Sequence, residues 1–465
     1  MIMRMSAVDL VRAIRMGEIS AQDAVDASLS TIEKCDHDLH SFITIAADSA
    51  RKSAQKLDDI QAGGGALGPL HGVPVAVKDL TLTAGIRTTF GSARHAQHVP
   101  VDDDLVVSRL KVAGAIIIGK TNTPEYGFGA LCKSAPGGNT VNPYDARRSS
   151  GGSSGGSAVA VATGMTPLAH GTDFGGSVRT PASFCNIVGF RPGAGRIPRV
   201  PKGMPWETLM SHGVLARSVE DAALMASVLS GGDERDPASL FAPAISAELS
   251  DSTSRQDIRI KISPDLGCLE IDTDVANVFD IAVSALRPYF PNIEQGCPNF
   301  EGAIGAFEVI RAAMLFHHLG PLLDSHENPL SETVRWNVAR GRNLTAEELI
   351  QAETMRGKII ARCVAFFKDT DVLIIPSASV LPFPLDQENV DQINGQKMSS
   401  IIDYLAVTFF ISLSGLPCIS IPAGFSDGGL PVGIQLVAGP GRDNNLIRIA
   451  ALVSDLCGFK HAFPN

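Results

Sequence analysis

Two short runs of the chain hold most of the groups able to do chemistry. Residues 149–157 read Ser-Ser-Gly-Gly-Ser-Ser-Gly-Gly-Ser, and residues 171–181 read Gly-Thr-Asp-Phe-Gly-Gly-Ser-Val-Arg-Thr-Pro. By composition alone the first run is a flexible linker. Its sequel argues otherwise, because Ala158–Ala162 is a small-residue apolar segment suited to a buried helix. Glycines beside serines at the mouth of a helix fit a place where backbone amides approach a ligand. Gly175-Gly176-Ser177 repeats the arrangement.

A serine hydroxyl is a weak nucleophile and needs a base beside it. His71, His95, His98, His170 and His212 lie near these runs, so a Ser-His-Asp triad stays open. No serine among them sits in a Gly-x-Ser-x-Gly elbow. The other candidate base is Lys78, which ends the apolar segment Val73-Pro-Val-Ala-Val-Lys78. Burial there disfavours the ammonium and frees the amine. A lone lysine at a strand end is ordinarily a solvated charge, and only the two Gly/Ser runs make this one a candidate. Gly114-Ala-Ile-Ile-Ile-Gly119-Lys120-Thr121 matches the Walker A pattern by letter. Its β-branched interior makes a strand rather than a phosphate-cradling loop, and no helix starts at Thr121. It reads as a buried strand ending in a turn. His95/His98 and His317/His318 lack Cys or carboxylate company at ligand spacing, so no metal is expected.

These residues resemble the amidase signature family. The likeness is carried by Gly72–Asp79, Gly151–Gly156 and Gly171–Pro181. It extends through Asn142–Asp145, Gly189–Pro192, Gly415–Pro417 and Leu430–Gln435. The resemblance implies a Ser–cis-Ser–Lys triad of Ser177 as nucleophile, Ser153 on a cis peptide to Gly152 as proton relay, and Lys78 as base and later acid. The backbone amides of Phe174, Gly175 and Gly176, with Ser177 as a further donor, would form the oxyanion hole. Ser154 would support the triad, and Asp173 and Arg179 would hold the loop's shape. The product of each cycle would be a carboxylic acid and ammonia or an amine, through an acyl-enzyme on Ser177 and without a cofactor. Candidate walls of the substrate pocket are Tyr126, Phe128, Leu131, Cys132, Trp206 and Trp336, which imply an apolar or aromatic acyl group. Three readings follow: a stand-alone amidohydrolase acting on small linear carboxamides, the glutaminase subunit of a tRNA-dependent glutamine amidotransferase, and a non-catalytic binding protein. The first is preferred. Every triad position is intact, and Arg335-Trp336-Asn337 stands where that glutaminase carries a tyrosine-rich, arginine-bearing segment. The resemblance also allows a homodimer through the N-terminal helices.

These groups need elements to hold them. Residues 1–60 read as helices: Ser6 precedes Ala7, Leu10, Val11 and Ile14, and Ser20 precedes Ala21, Val25, Leu29 and Ile32. A third helix is expected from about Ile43 to Ile60, stopped by Gly63-Gly64-Gly65. This N-terminal segment would pack on the core or on a partner subunit. Val73–Val77 and Ala115–Ile118 read as buried strands with a helix at Leu105–Val112 between them. Asp371–Pro376, Cys418–Ile421 and Leu430–Val437 repeat the strand pattern, the last after a turn at Asp427-Gly428. The alternation is α/β, and the family likeness implies a large mixed central sheet covered by helices on both faces. Residues 61–465 read as one domain, with 235–370 its more variable part.

Composition narrows the partners. Lys and Arg number 39 against 49 Asp and Glu, a net charge of −10, which lacks the basic footprint of a nucleic-acid binder. Eight cysteines without a Cys-x-x-Cys pair point to reduced thiols rather than a disulfide framework. Asp9 and three arginines break any apolar run in Met1–Arg15, so no signal peptide is expected. Leu405–Leu416 is strongly apolar, yet Ser412, Ser414, Gly415 and Pro417 cut it well short of the roughly 20 residues that span a bilayer. The expectation is a cytoplasmic protein that meets a small-molecule carboxamide, with neither nucleic acid nor membrane as partner.

Overall fold

The computed structural model describes residues 2–201, 203–249, 255–325, 329–400 and 402–464. Residues 250–254 and 326–328, inside the variable segment, lie outside the described set. The central sheet takes strands β1 (Phe42–Ile45), β2 (Pro74–Lys78), β3 (Ile116–Thr121), β4 (Leu168–Asp173), β5 (Val188–Arg191) and β6 (Ser211–Ala216). It continues with β7 (Ile260–Ile262), β8 (Ile293–Gln295), β9 (Val372–Pro376), β10 (Cys418–Phe425) and β11 (Pro431–Val437). Their spatial order is β1-β3-β2-β4-β6-β5-β10-β11-β9-β7-β8. Strands β3, β2 and β4 run parallel, as do β9, β7 and β8. The other neighbours are antiparallel, so the sheet is mixed.

Helices cover both faces. In chain order they are α1 (Ala7–Arg15), α2 (Ala21–Leu39), α3 (Ala47–Ala62), α4 (Leu105–Val112), α5 (Gly155–Ala162) and α6 (Arg179–Phe184). They go on with α7 (Val219–Leu229), α8 (Thr273–Leu286), α9 (Ala303–Leu319), α10 (Glu332–Ala339), α11 (Ala346–Phe366), α12 (Ala406–Ser414) and α13 (Asp443–Cys457). The period-2 alternation of each strand assigns the cores. Val75 and Val77 of β2 join one core with α4, α7, α8 and α13, while Ala76 joins the opposite core with α2, α3 and α5. At the far side of the sheet Val372 and Ile374 face the first core, and Leu373 and Ile375 face α9, α11 and α12.

Three sequence expectations change here. The segment expected as helix from Ile43 is a strand to Ile45, and only then α3. Phe-Ile-Thr-Ile is β-branched and aromatic, and it pairs antiparallel with β3 to form the sheet edge. The N-terminal segment is therefore stitched into the sheet as well as packed on it. The Walker-like run also stays strand through Thr121, every residue buried. Lys120 is held by the Thr81 carbonyl and by the hydroxyls of Thr83 and Thr88 at 3.0 and 2.9 Å. Third, the apolar run after Leu405 is α12, nine residues long and buried throughout. Among the described residues no helix is long and apolar enough to cross a membrane.

Candidate active site

The site is built at the carboxyl ends of parallel strands. Lys78 is the last residue of β2, and β4 lies parallel beside it with Val77 opposite His170. That register carries Lys78 next to Gly171 and Thr172. The Gly/Ser run passes over the same strand ends and enters α5. Its helix is all small residues, Gly-Gly-Ser-Ala-Val-Ala-Val-Ala, and fully buried. The close approach has a reason: a Cβ on Gly156 would come within 2.4 Å of the Ser41 carbonyl oxygen. Ser154 occupies the N-cap position of α5 but makes no side-chain cap. Its hydroxyl is turned to Lys78 instead.

Lys78 is fully buried, and its Nζ donates to Ser153 Oγ at 2.8 Å, Ser154 Oγ at 2.9 Å and Thr172 Oγ1 at 3.0 Å. The Thr172 carbonyl oxygen lies at 3.4 Å. Burial pulls the lysine down from 10.5 to about 7, against smaller opposing pulls from Cys132 and Asp173. The amine is thus close to half neutral at pH 7. The peptide between Gly152 and Ser153 is cis. Ser177 lies across a cavity shared with Ser153 and Thr172, and among the described residues no hydrogen bond joins the two serine hydroxyls. Nor does any described histidine bond these serines. His170 and His212 pair with each other at 2.9 Å, and His95 meets Tyr126 at 3.1 Å.

The loop carrying Ser177 is clamped from below. Asp173 accepts from the Gly176 amide at 2.9 Å and the Val178 amide at 3.1 Å, and it takes two hydrogen bonds from Arg179 at 2.8 and 3.0 Å. Arg191 adds a second guanidinium at 3.5 Å, all three side chains being fully buried. Burial alone would push the Asp173 carboxyl up, but the guanidinium of Arg179, backed by Arg191, holds it well below the usual carboxylate range. Arg179 also donates to the Thr408 carbonyl, Gln435 Oε1 and Ser412 Oγ, tying the loop to α12 and β11. One expectation is corrected by this clamp. The Gly176 amide is already engaged by Asp173, whereas the amides of Phe174, Gly175 and Ser177 meet no acceptor among the described residues.

The cavity over Ser177 measures about 390 Å³. Its walls are mostly apolar, including Leu80, Phe90, Tyr126, Phe128, Phe174 and Met314, with Asp104, Arg199 and His212 at the polar side. Burial raises the Asp104 carboxyl to about 7 and lowers His212 to about 3. Tyr126 and Phe128 are therefore where the sequence puts them, and four other proposed walls are not. Trp206 is 72% exposed. Trp336 sits on the outer side of α10 under Arg340, whose guanidinium is 4.8 Å from the ring centre. Leu131 lines a separate surface hollow with Lys133 and Ser331. Cys132 is buried against Gly155 at the start of α5. Large aromatic residues with no periodic context gave no clue to which side they face. Thr172, missed as a partner of Lys78, was visible only as the neighbour of Asp173 in a quoted motif. A larger hollow of about 760 Å³ beside α9 and residues 341–349 holds none of these groups.

Comparison with known proteins agrees with this geometry. The amidase family model matches residues 23–447. The chain is 33% identical to the glutaminase subunit of the glutamyl-tRNA(Gln) amidotransferase of Thioalkalivibrio sulfidiphilus, over 98% of each chain. It is 31% identical to an acylamidase of Rhodococcus erythropolis, covering 96% of this chain and 94% of the relative. The crystal structure of a bacterial aryl acylamidase of the amidase signature family superposes with a TM-score of 0.89 at 26% identity. That match covers 97% of this chain and 96% of the other. A buried lysine under two serines, on a mixed sheet shared with amide-cleaving enzymes over nearly its whole length, places this chain in the amidase signature family.

Proposed function

We propose that the chain is a self-contained amidohydrolase whose nucleophile is Ser177, relayed through Ser153 to Lys78. One observation carries the reading: a fully buried lysine, brought to about 7 by burial, hydrogen-bonded to Ser153 in the cavity that Ser177 lines. Ser177 Oγ attacks the amide carbonyl as its proton passes to Ser153 and the Ser153 proton passes to Lys78. The two hydroxyls close to hydrogen-bond distance when substrate fills the cavity, as such contacts commonly tighten on binding. Negative charge on the former carbonyl oxygen is met by the amides of Phe174, Gly175 and Ser177. A preorganised donor of this kind contributes about 2.7–4 kcal/mol. The Lys78 ammonium, through Ser153, then protonates the leaving nitrogen, and ammonia or an amine departs. Water repeats the sequence on the acyl-enzyme and releases the acid. The apolar walls favour substrates with an apolar or aromatic body.

The test is ammonia release by the purified chain alone, over aliphatic and aromatic primary amides and glutamine, with Ser177→Ala in parallel. Release that the variant lacks supports a self-contained amidase. Release confined to glutamine, and only with added partner subunits, would assign the chain to the amidotransferase class instead.

A further inference from the structure

Ser177 borders two chambers rather than one. Beside the main cavity lies a narrow pocket of about 60 Å³, which also touches Gly152, Phe174 and Gly175. Phe128 stands between them and lines both. The narrow pocket has a different chemistry. Arg311 of α9 lines it together with Asn337 of α10 and Tyr404, and no Asp or Glu does among the described residues. Arg311 is 91% buried, with a relative exposure of 9%. One of its guanidinium nitrogens donates to Asn337 Oδ1, and its plane stands over the Phe128 ring at 5.4 Å. No carboxylate pairs with it among the described residues. Glu308, one turn earlier on the same helix, pairs with Arg340 at 3.4 Å instead.

A buried guanidinium without a counter-charge is costly and is retained where something else supplies the charge. The Arg311 side chain is fixed in place by Asn337 and Phe128, leaving further N–H groups to donate. Tyr404 is buried and its hydroxyl bonds no protein group among the described residues, giving a second donor. A volume of about 60 Å³ is roughly that of two water molecules in the liquid. It admits a carboxylate and excludes a ring.

We propose that this narrow pocket is a carboxylate subsite, and that the natural substrate is an amide bearing a carboxylate, its apolar body in the wider cavity and its anionic group on Arg311. The inference rests on the amidohydrolase reading above and names the substrate class for that same site. The carboxylate can travel with the acyl group or with the departing amine.

Two matched pairs separate these sources. For the amine side, N-(phenylpropanoyl)glycine is compared with phenylpropanoyl isobutylamide. For the acyl side, phenylsuccinic acid monoamide is compared with its analogue carrying isopropyl in place of the carboxylate. In the wild type at least one carboxylate member should lead its neutral twin in kcat/KM by roughly 10- to 100-fold. Arg311→Met should bring that ratio towards one, and Arg311→Lys should keep part of it. If Arg311→Met does not fold, Arg311→Lys alone carries the comparison. A purely structural role would lower both members together and leave the ratio unchanged, which overturns the proposal, as does a wild-type ratio of one or less in both pairs. Failure of the amidohydrolase reading would show differently, as no hydrolysis of any member. The subsite is then read by calorimetry of phenylsuccinate binding to Ser177→Ala, with and without Arg311→Met. Affinity at least about tenfold weaker without the arginine supports it. Equal affinity refutes it.

Discussion

Replacing Lys78 with methionine tests the electrostatics of the site without any substrate. The lysine ionises at about 7 in the folded chain and at 10.5 when unfolded. Between those values the unfolded chain binds a proton that the folded chain does not, so stability rises with pH across that window. The penalty for holding this lysine in the fold is full below about pH 7 and vanishes above 10.5. It falls from about 4 kcal/mol at pH 7 to about 2 kcal/mol at pH 9. Methionine has a similar length and no charge to desolvate. The variant also loses the bonds to Ser153, Ser154 and Thr172, so its absolute stability is not the readout. The pH dependence is. Lys120, itself lowered to about 8 by burial, titrates in both proteins and cancels in the difference. Urea unfolding at pH 7 and pH 9 should therefore show the wild type gaining about 2 kcal/mol relative to Lys78→Met. A wild-type-minus-variant difference that stays flat between the two pH values would refute the reasoning, because the lysine would then be an ordinary solvated base.

Three further outcomes follow from the same contacts. The kcat/KM for a good amide should fall on the acid side with an inflection near 7, because protonated Lys78 cannot accept a proton, and a plateau persisting to pH 5 would contradict this. Asp173→Asn leaves two buried guanidinium groups without their shared counter-charge and should cost about 3–5 kcal/mol, measured by chemical denaturation. Gly176→Ala puts a Cβ 2.3 Å from Thr408 Oγ1 at a φ of +127°, a conformation that suits glycine. It should lower stability by about 2 kcal/mol or more, and a silent variant would mean that the loop is freer than its contacts imply.

The sequence revealed the chemistry more readily than its surroundings. Lys78, Ser153, Ser154 and Ser177 stood out because glycine-rich turns around serines have few other uses, and Lys78 ended an unmistakable buried strand. The false Walker match was legible for the same reason, since three consecutive isoleucines favour a strand over a loop. Phe42–Ile45 was lost because four residues of strand before a long helix carry too little periodicity to mark a boundary. Arg311 and Asn337 were invisible because they sit on two helices of the variable segment, and their meeting depends on how α9 crosses α10. Trp206 and Trp336 misled because a large aromatic ring is equally at home on a surface or over a partner cation.

Arg179 also sets when the protein becomes active during its own synthesis. The arginine that shapes the nucleophile loop reaches Thr408, Ser412 and Gln435, which lie 229 to 256 residues later in the chain. At about 5–20 residues per second, the ribosome needs roughly 10–50 s after Ser177 to supply those partners. Throughout that interval the nascent chain carries the amine and all the hydroxyls but not the bonds that fix the loop. Hydrolysis therefore awaits the last strands of the sheet, and a chain stalled before Thr408 is an inert one.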